Sequence, residues 1–167
     1  LTGVTLAGSN LTSANLTDAN LTDAVANSAN LTSATLTDAN FTGANLANAT
    51  LTSATTTRAN FTNADLTSVS AASTTFTDVT ATGATFAYAG LTGSTISGGT
   101  FTGANLMVTH FDNSTITGAD FTDAVMLNAT FTSATLANTT LVRAGLAGAV
   151  FTSAVFTAAT VAVPGST

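Results

Sequence analysis

The sequence predicts an all-β solenoid wound from a four-sided coil, and three observations carry that reading. A large apolar residue returns at nearly every fifth position in one register without an insertion, small and turn-forming residues flank it at fixed offsets, and departures from the pattern recur twenty residues apart. A helix needs apolar spacing near 3.6 and a plain strand a spacing of 2, so neither explains a period of five.

The centre column begins Leu1, Leu6, Leu11, Leu16 and Leu21 and runs through Phe41, Phe61, Phe101, Phe121, Phe151 and Phe156 to Val161. Only Ala26, Thr56, Ala71 and Ala81 depart from a large apolar residue. Two places before most centres stands a small residue, as at Ala14, Ala19 and Ala24, and the residue between is most often Asn or Thr, as at Asn15, Asn40 and Thr75. Thr usually follows the centre. Small, polar, large, polar is a short strand alternation that points the small and large residues the same way. The fifth position is Gly, Ser, Asp or Asn except at Arg58, Tyr88, Val108, Arg143, Ala158 and Val163. Those four types tolerate tight or left-handed backbone. The chain therefore runs a few extended residues, turns and repeats.

The number of sides follows from the residue after each centre. Seven of its non-Thr cases, Ala7, Asn27, Ala47, Ala87, Met107, Leu127 and Ala147, lie in one series at steps of twenty with Thr67 as the exception. Four repeats make one coil, which predicts about eight coils and a length of about 40 Å at the strand spacing. Arg58 lies twenty residues from Asp38 and Asp78, and Arg143 twenty from Asp123, so each cation should stack beside a carboxylate.

The quintets Ala14-Asn15-Leu16-Thr17-Asp18, Ala39-Asn40-Phe41-Thr42-Gly43 and Ala64-Asp65-Leu66-Thr67-Ser68 resemble the pentapeptide repeat family. The resemblance covers essentially the whole chain. It implies the family's right-handed, four-sided β-helix. The chain departs from the family in its near absence of charge, its lack of Lys and Glu, and its heavy use of Thr.

No single repeat can stand alone. Burying one large side chain contributes about 1.5–3 kcal/mol, against roughly 1–2 kcal/mol of backbone entropy for each ordered residue, so stability must come from coil-on-coil stacking. Phe41 is expected on Phe61 and Phe101 on Phe121. Ala71, Phe76, Ala81 and Phe86 should share one cross-section, two small and two large, as close packing requires. Thr56 turns a hydroxyl inward and needs an acceptor.

Composition excludes several functions. Eight acidic residues face two Arg, for a net charge of −6, and Cys is absent. Disulfides and Cys-bound metals are excluded, two Arg cannot supply a nucleic-acid footprint, and polar residues break every apolar run short of a membrane span. No cofactor or metal is expected, because one carboxylate per coil falls short of a calcium site. For catalysis there are only His110 and Asp112 on one side, with nothing to complete a constellation. The chain reads as a non-enzyme.

Residues 1–163 form the solenoid and 164–167, Pro164-Gly165-Ser166-Thr167, a tail or the start of a linker. Residue 1 is Leu, as in a processed product or a piece of a longer chain. No cap is evident, and an open solenoid end is a pairing template. The candidate end-to-end surface therefore comprises Leu1, Leu6, Leu11 and Leu16 at one end and Val142, Val150, Val155, Val161 and Val163 at the other, with other copies or flanking domains as partner. A lateral stripe of Val25, Ala87, Tyr88, Met107, Val108, Val125, Leu127 and Ala147 should face outward on one side. The functional expectation is a structural solenoid that self-associates into a filament or cell-surface appendage. Its low charge and richness in Asn, Thr, Ser, Ala and Gly resemble exported surface proteins, which implies an extracellular or surface location.

Two alternatives have residues of their own. Asp18, Asp38 and Asp78 form a partial acidic column, and some pentapeptide repeat proteins resemble duplex DNA and bind topoisomerases; that reading implies a cytoplasmic location. Paired threonines, Thr35/Thr37, Thr55/Thr57, Thr75/Thr77, Thr95 with Ser97, and Thr115/Thr117, resemble the Thr-x-Thr array of ice-binding solenoids.

Overall fold

The structure, a computed structural model, describes residues 1–162; Val163 and the tail lie outside them. Every bridge is parallel and joins a residue to the one twenty places on, from Thr5↔Val25 to Thr140↔Thr160. The coil is four-sided and all-β, with no helix among the described residues. Sides one to four are those carrying the centres Leu1, Leu6, Leu11 and Leu16 and their successors at steps of twenty.

The backbone of one quintet shows why these residue types repeat. Asn40 N–H donates to Ala19 C=O of the preceding coil at 2.9 Å, while Phe41 and Gly43 N–H donate to Asn60 and Thr62 C=O of the next at 2.7 and 2.9 Å. Ala44 N–H closes the corner on Phe41 C=O at 2.9 Å. The remaining donor, Thr42 N–H, reaches the Asn40 side-chain carbonyl at 3.0 Å. All five N–H groups are satisfied, four by backbone and one by the Asn before the centre. The corner works because its fifth residue is left-handed. From Gly3 at φ 64° to Ala158 at φ 51°, every residue in that column lies in this region.

Extended strands occur on side four alone: β1 Thr75–Thr77, β2 Thr95–Ser97, β3 Thr115–Thr117, β4 Thr135–Ala137 and β5 Val155–Thr157. They form one parallel sheet in chain order, with Phe76, Ile96, Leu136 and Phe156 in register through Ile116.

The core is the centre column together with the small column, buried from Leu21 to Ala144. Phe41 stacks on Phe61 with centroids 5.3 Å apart, and Phe101 on Phe121 at 5.0 Å. A third stack runs Phe111–Phe131–Phe151 on side three, each step 4.8 Å. Across the coil, Phe76 and Phe86 meet edge to face at 6.4 Å, while Ala71 and Ala81 fill the other two sides. A similar compensation joins coils. Val79 intrudes into the small column, and a Cβ at Gly99 would lie 3.2 Å from its methyl and 3.1 Å from its carbonyl. Glycine makes that room.

Buried hydroxyls divide into two groups. Thr56 donates to Thr75 C=O at 2.9 Å, which supplies its acceptor. Thr74 and Thr109 donate to Leu51 and Phe86 C=O at 2.6 and 2.8 Å. Ser94 and Ser114, one coil apart in the small column, have no partner. An unpaired buried hydroxyl costs about 1–3 kcal/mol. Replacing both with Ala should therefore raise the urea midpoint by the equivalent of about 1 kcal/mol or more, whereas Thr109→Ala should lower it.

Candidate functional site

With the interior closed, function has to reside on the sides and the ends. No pocket opens among the described residues, and no group of three or more His, Asp or Glu converges on a metal position there. No described helix is long and apolar enough to cross a membrane.

Side two carries the apolar stripe. Val25, Tyr88 and Val125 are exposed, Tyr88 at 54%, and Met107, Val108 and Leu127 are half-buried. Ala147 is exposed near the far end. Ala87 does not belong to this surface. It is only 5% exposed, a short methyl in a column where Thr67 and Met107 stand one coil either side. The stripe is thus interrupted at Ala87, and its dense part lies across Tyr88, Met107, Val108, Val125 and Leu127.

Two of these residues occupy costly backbone. Tyr88 and Val108 hold the left-handed corner position at φ 62° and 57°. For residues with a Cβ that region costs roughly 1–2 kcal/mol, and a β-branched side chain suits it worst. Strained placement of bulky side chains clusters where they are displayed for function.

The charged corners follow the register. Arg58 Nε and Nη2 donate to Asp38 Oδ1 and Oδ2 at 2.7 and 2.6 Å, and Arg143 makes the same fork on Asp123 at 2.6 Å twice. The bonds from each Arg hold its carboxylate partner below the ordinary range. Arg58 takes Asp38 and not Asp78 because corner carboxylates lean toward the following coil, which brings Asp38 to Arg58 and carries Asp78 away from it. Asp78 Oδ1 lies too close to Gly98 for a Cβ to fit there, as Asp23 Oδ1 does over Gly43. Glycine there admits the overhanging carboxylate.

On side three, His110 Nδ1 lies 3.1 Å from Thr130 Oγ1, and the Thr130 hydroxyl donates to Asp112 Oδ2 at 2.7 Å. Thr132 N–H donates to Asp112 Oδ1 at 2.8 Å. Partial burial pushes the Asp112 carboxyl up, but the bonds from Thr130 and Thr132 outweigh it and hold the carboxyl below its ordinary value. His110 and Asp112 come together through Thr130 from the next coil, a relay the sequence reading lacked.

Side four presents the threonine ranks. Thr35, Thr55, Thr95, Thr115 and Thr117 are exposed, while Thr37, Thr57, Thr75 and Thr77 are half-buried. Where Asn precedes a centre it clamps the Thr that follows, as where Thr12 and Thr42 hydroxyls donate to Asn10 and Asn40 at 2.7 Å. The recurring Asn-x-Thr spacing was the available signal for that clamp.

Both end coils of the described residues expose apolar side chains. Leu1 is 63% exposed, and Leu6, Leu11 and Leu16 are half-buried. At the other end Val150, Val155, Phe156 and Val161 are exposed, the last at 53%, whereas Val142 is half-buried.

Comparison with known proteins agrees with the coil. A family model described as pentapeptide repeats, in 8 copies, matches residues 1–43, 29–68, 59–98, 91–128 and 109–144. No curated protein matches the chain. Among solved structures, HetL, a pentapeptide repeat protein involved in heterocyst differentiation regulation from the cyanobacterium Nostoc, is 21% identical. That likeness covers 99% of this chain and 85% of HetL at a TM-score of 0.41. A pentapeptide repeat protein of the Arabidopsis thaliana thylakoid lumen is 27% identical over 64% of this chain and 63% of its own, at 0.42. QnrB1, a plasmid-mediated fluoroquinolone resistance protein, is 17% identical over 92% and 90%, at 0.36.

Two outcomes test this geometry. Val108→Gly should stabilise the fold by about 1 kcal/mol, measured by denaturant unfolding, because it removes the left-handed penalty. Since the folded Asp112 carboxyl titrates below its unfolded value, its contribution is present above the unfolded pKa of about 3.9 and is lost as pH falls through the folded one. The stability gap between wild type and Asp112→Asn should therefore hold at neutral pH and close on acidification.

Proposed function

Because the chain belongs to the pentapeptide repeat family, we propose that it is a non-enzymatic structural solenoid that self-associates end to end, and sideways through side two, into a filament or surface appendage. The observation that carries this reading is the self-complementarity of the coil. Each coil donates centre and corner N–H groups forward and the N–H before its centre backward, at one step of twenty. The face a coil offers onward is therefore the face it accepts from behind. Another copy fits an open end coil as well as a further coil of the same polypeptide does. Such a head-to-tail contact does not close on itself and generates an open polymer.

The stripe supports lateral contact. Tyr88 and Val108 are large apolar side chains held at strained corners that Ser, Asn or Gly occupy elsewhere, and an exposed apolar patch of this kind marks an interaction surface. A DNA-mimicking role has less support, since Arg58 interrupts the acidic column and neutralises Asp38, while Arg143 neutralises Asp123. Low charge and an uncharged polar surface favour a place outside the cell.

Electron microscopy of the purified chain at rising concentration should show rods that lengthen. Leu1→Asp with Val161→Asp, both at exposed end positions, should leave short single rods with an unchanged circular dichroism spectrum. Tyr88→Asp with Val125→Asp should thin the bundles without shortening them. Wild-type rods of one short length at every concentration would overturn the proposal.

A further inference from the structure

We propose that side four is an ice-binding face, formed by the two ranks of threonine that run from Thr35 and Thr37 to Thr115 and Thr117. The first observation is chemical. On side four itself the leading row is clamped, with the Thr17 hydroxyl donating to Asn15 at 2.7 Å. From Thr35 onward no Asn precedes the centre, and none of the rank hydroxyls makes a hydrogen bond within the described residues. Each is left to solvent beside its own methyl.

The second observation is geometric. Thr75, Thr95 and Thr115 pair one coil apart, as do Thr77, Ser97 and Thr117. Strand geometry sets a lattice of about 4.8 Å between rows and about 6.7 Å within a row. It is stiff, because the intervening Phe76, Ile96 and Ile116 are fully buried and threonine is restricted about its first side-chain torsion.

Charge matching selects the occupant. The rows from Thr35 to Thr117 contain no ionisable side chain, and the nearest charges are the corner residues Asp38, Arg58 and Asp78. A neutral array offers nothing to phosphate or nucleic acid, and it lacks the carboxylates a calcium ion needs. It also lacks the Trp, Tyr and Arg anchors that dominate protein interfaces. What fits is a neutral, periodic, hydrogen-bonding solid. Free hydroxyls would hold water at lattice spacing while the methyls between them are removed from liquid water. Side four lies opposite the apolar stripe of side two, so lateral pairing of copies leaves it open.

Thermal hysteresis and ice recrystallisation of the full chain test the proposal. Wild type should hold a freezing gap and suppress recrystallisation. Thr95→Tyr with Thr115→Tyr should abolish both, whereas Thr82→Tyr with Thr92→Tyr, exposed on sides one and three, should leave both intact. Circular dichroism and unfolding midpoints establish that each variant is folded. The proposal fails if wild type does not affect ice, or if the side-four variant acts like wild type. It also fails if wild type ignores ice but is retained on crystalline cellulose or chitin through the same threonines. Rods that never polymerise would sink the filament reading and leave this one standing.

Discussion

The left-handed residue at every fifth position is the constraint on which the rest of this molecule depends. It turns the chain at the same place in each quintet, so four quintets close one coil and residue n always meets residue n + 20. A glycine or a small polar residue takes that conformation cheaply, which explains the column of Gly, Ser, Asp and Asn. Once the corners are identical, backbone pairing, the phenylalanine stacks and the arginine–aspartate forks all inherit the same step. Shifting the register by one residue would turn the centre column outward.

Such a coil is unusual in where it can keep function. Among the described residues it has no long loops, the usual carriers of binding and catalytic residues, and its interior is filled by the centre and small columns. What varies freely is the residue on either side of each centre and the corner itself. Those positions give the four sides different chemistry on one backbone: Asn-clamped threonine, free threonine ranks, an apolar stripe, and scattered charge.

Much of this was legible in the column pattern. The step of twenty, the Phe41–Phe61 and Phe101–Phe121 stacks, and an acceptor requirement at Thr56 all follow from spacing alone. The stack through Phe111, Phe131 and Phe151 obeys the same rule and could have been found by it. Other features were not accessible that way. Ala87 sits in a column of outward residues yet is buried, because exposure depends on the neighbours one coil away. Arg58 had two carboxylates at equal separation, and only the forward lean of the corner carboxylates, Asp38 toward Arg58 and Asp78 away from it, decides for Asp38.

Period and side chain thus answer to different distances. A quintet's corner, its alternation and its side of the square are set within five residues, by steric preference and turn chemistry, so a single strand of text contains them. Which hydroxyl is clamped, which methyl is covered and which carboxylate an arginine meets are settled between residues twenty apart. Those outcomes depend on how far a side chain reaches across a gap of one strand spacing, and only the stacked coil supplies that gap.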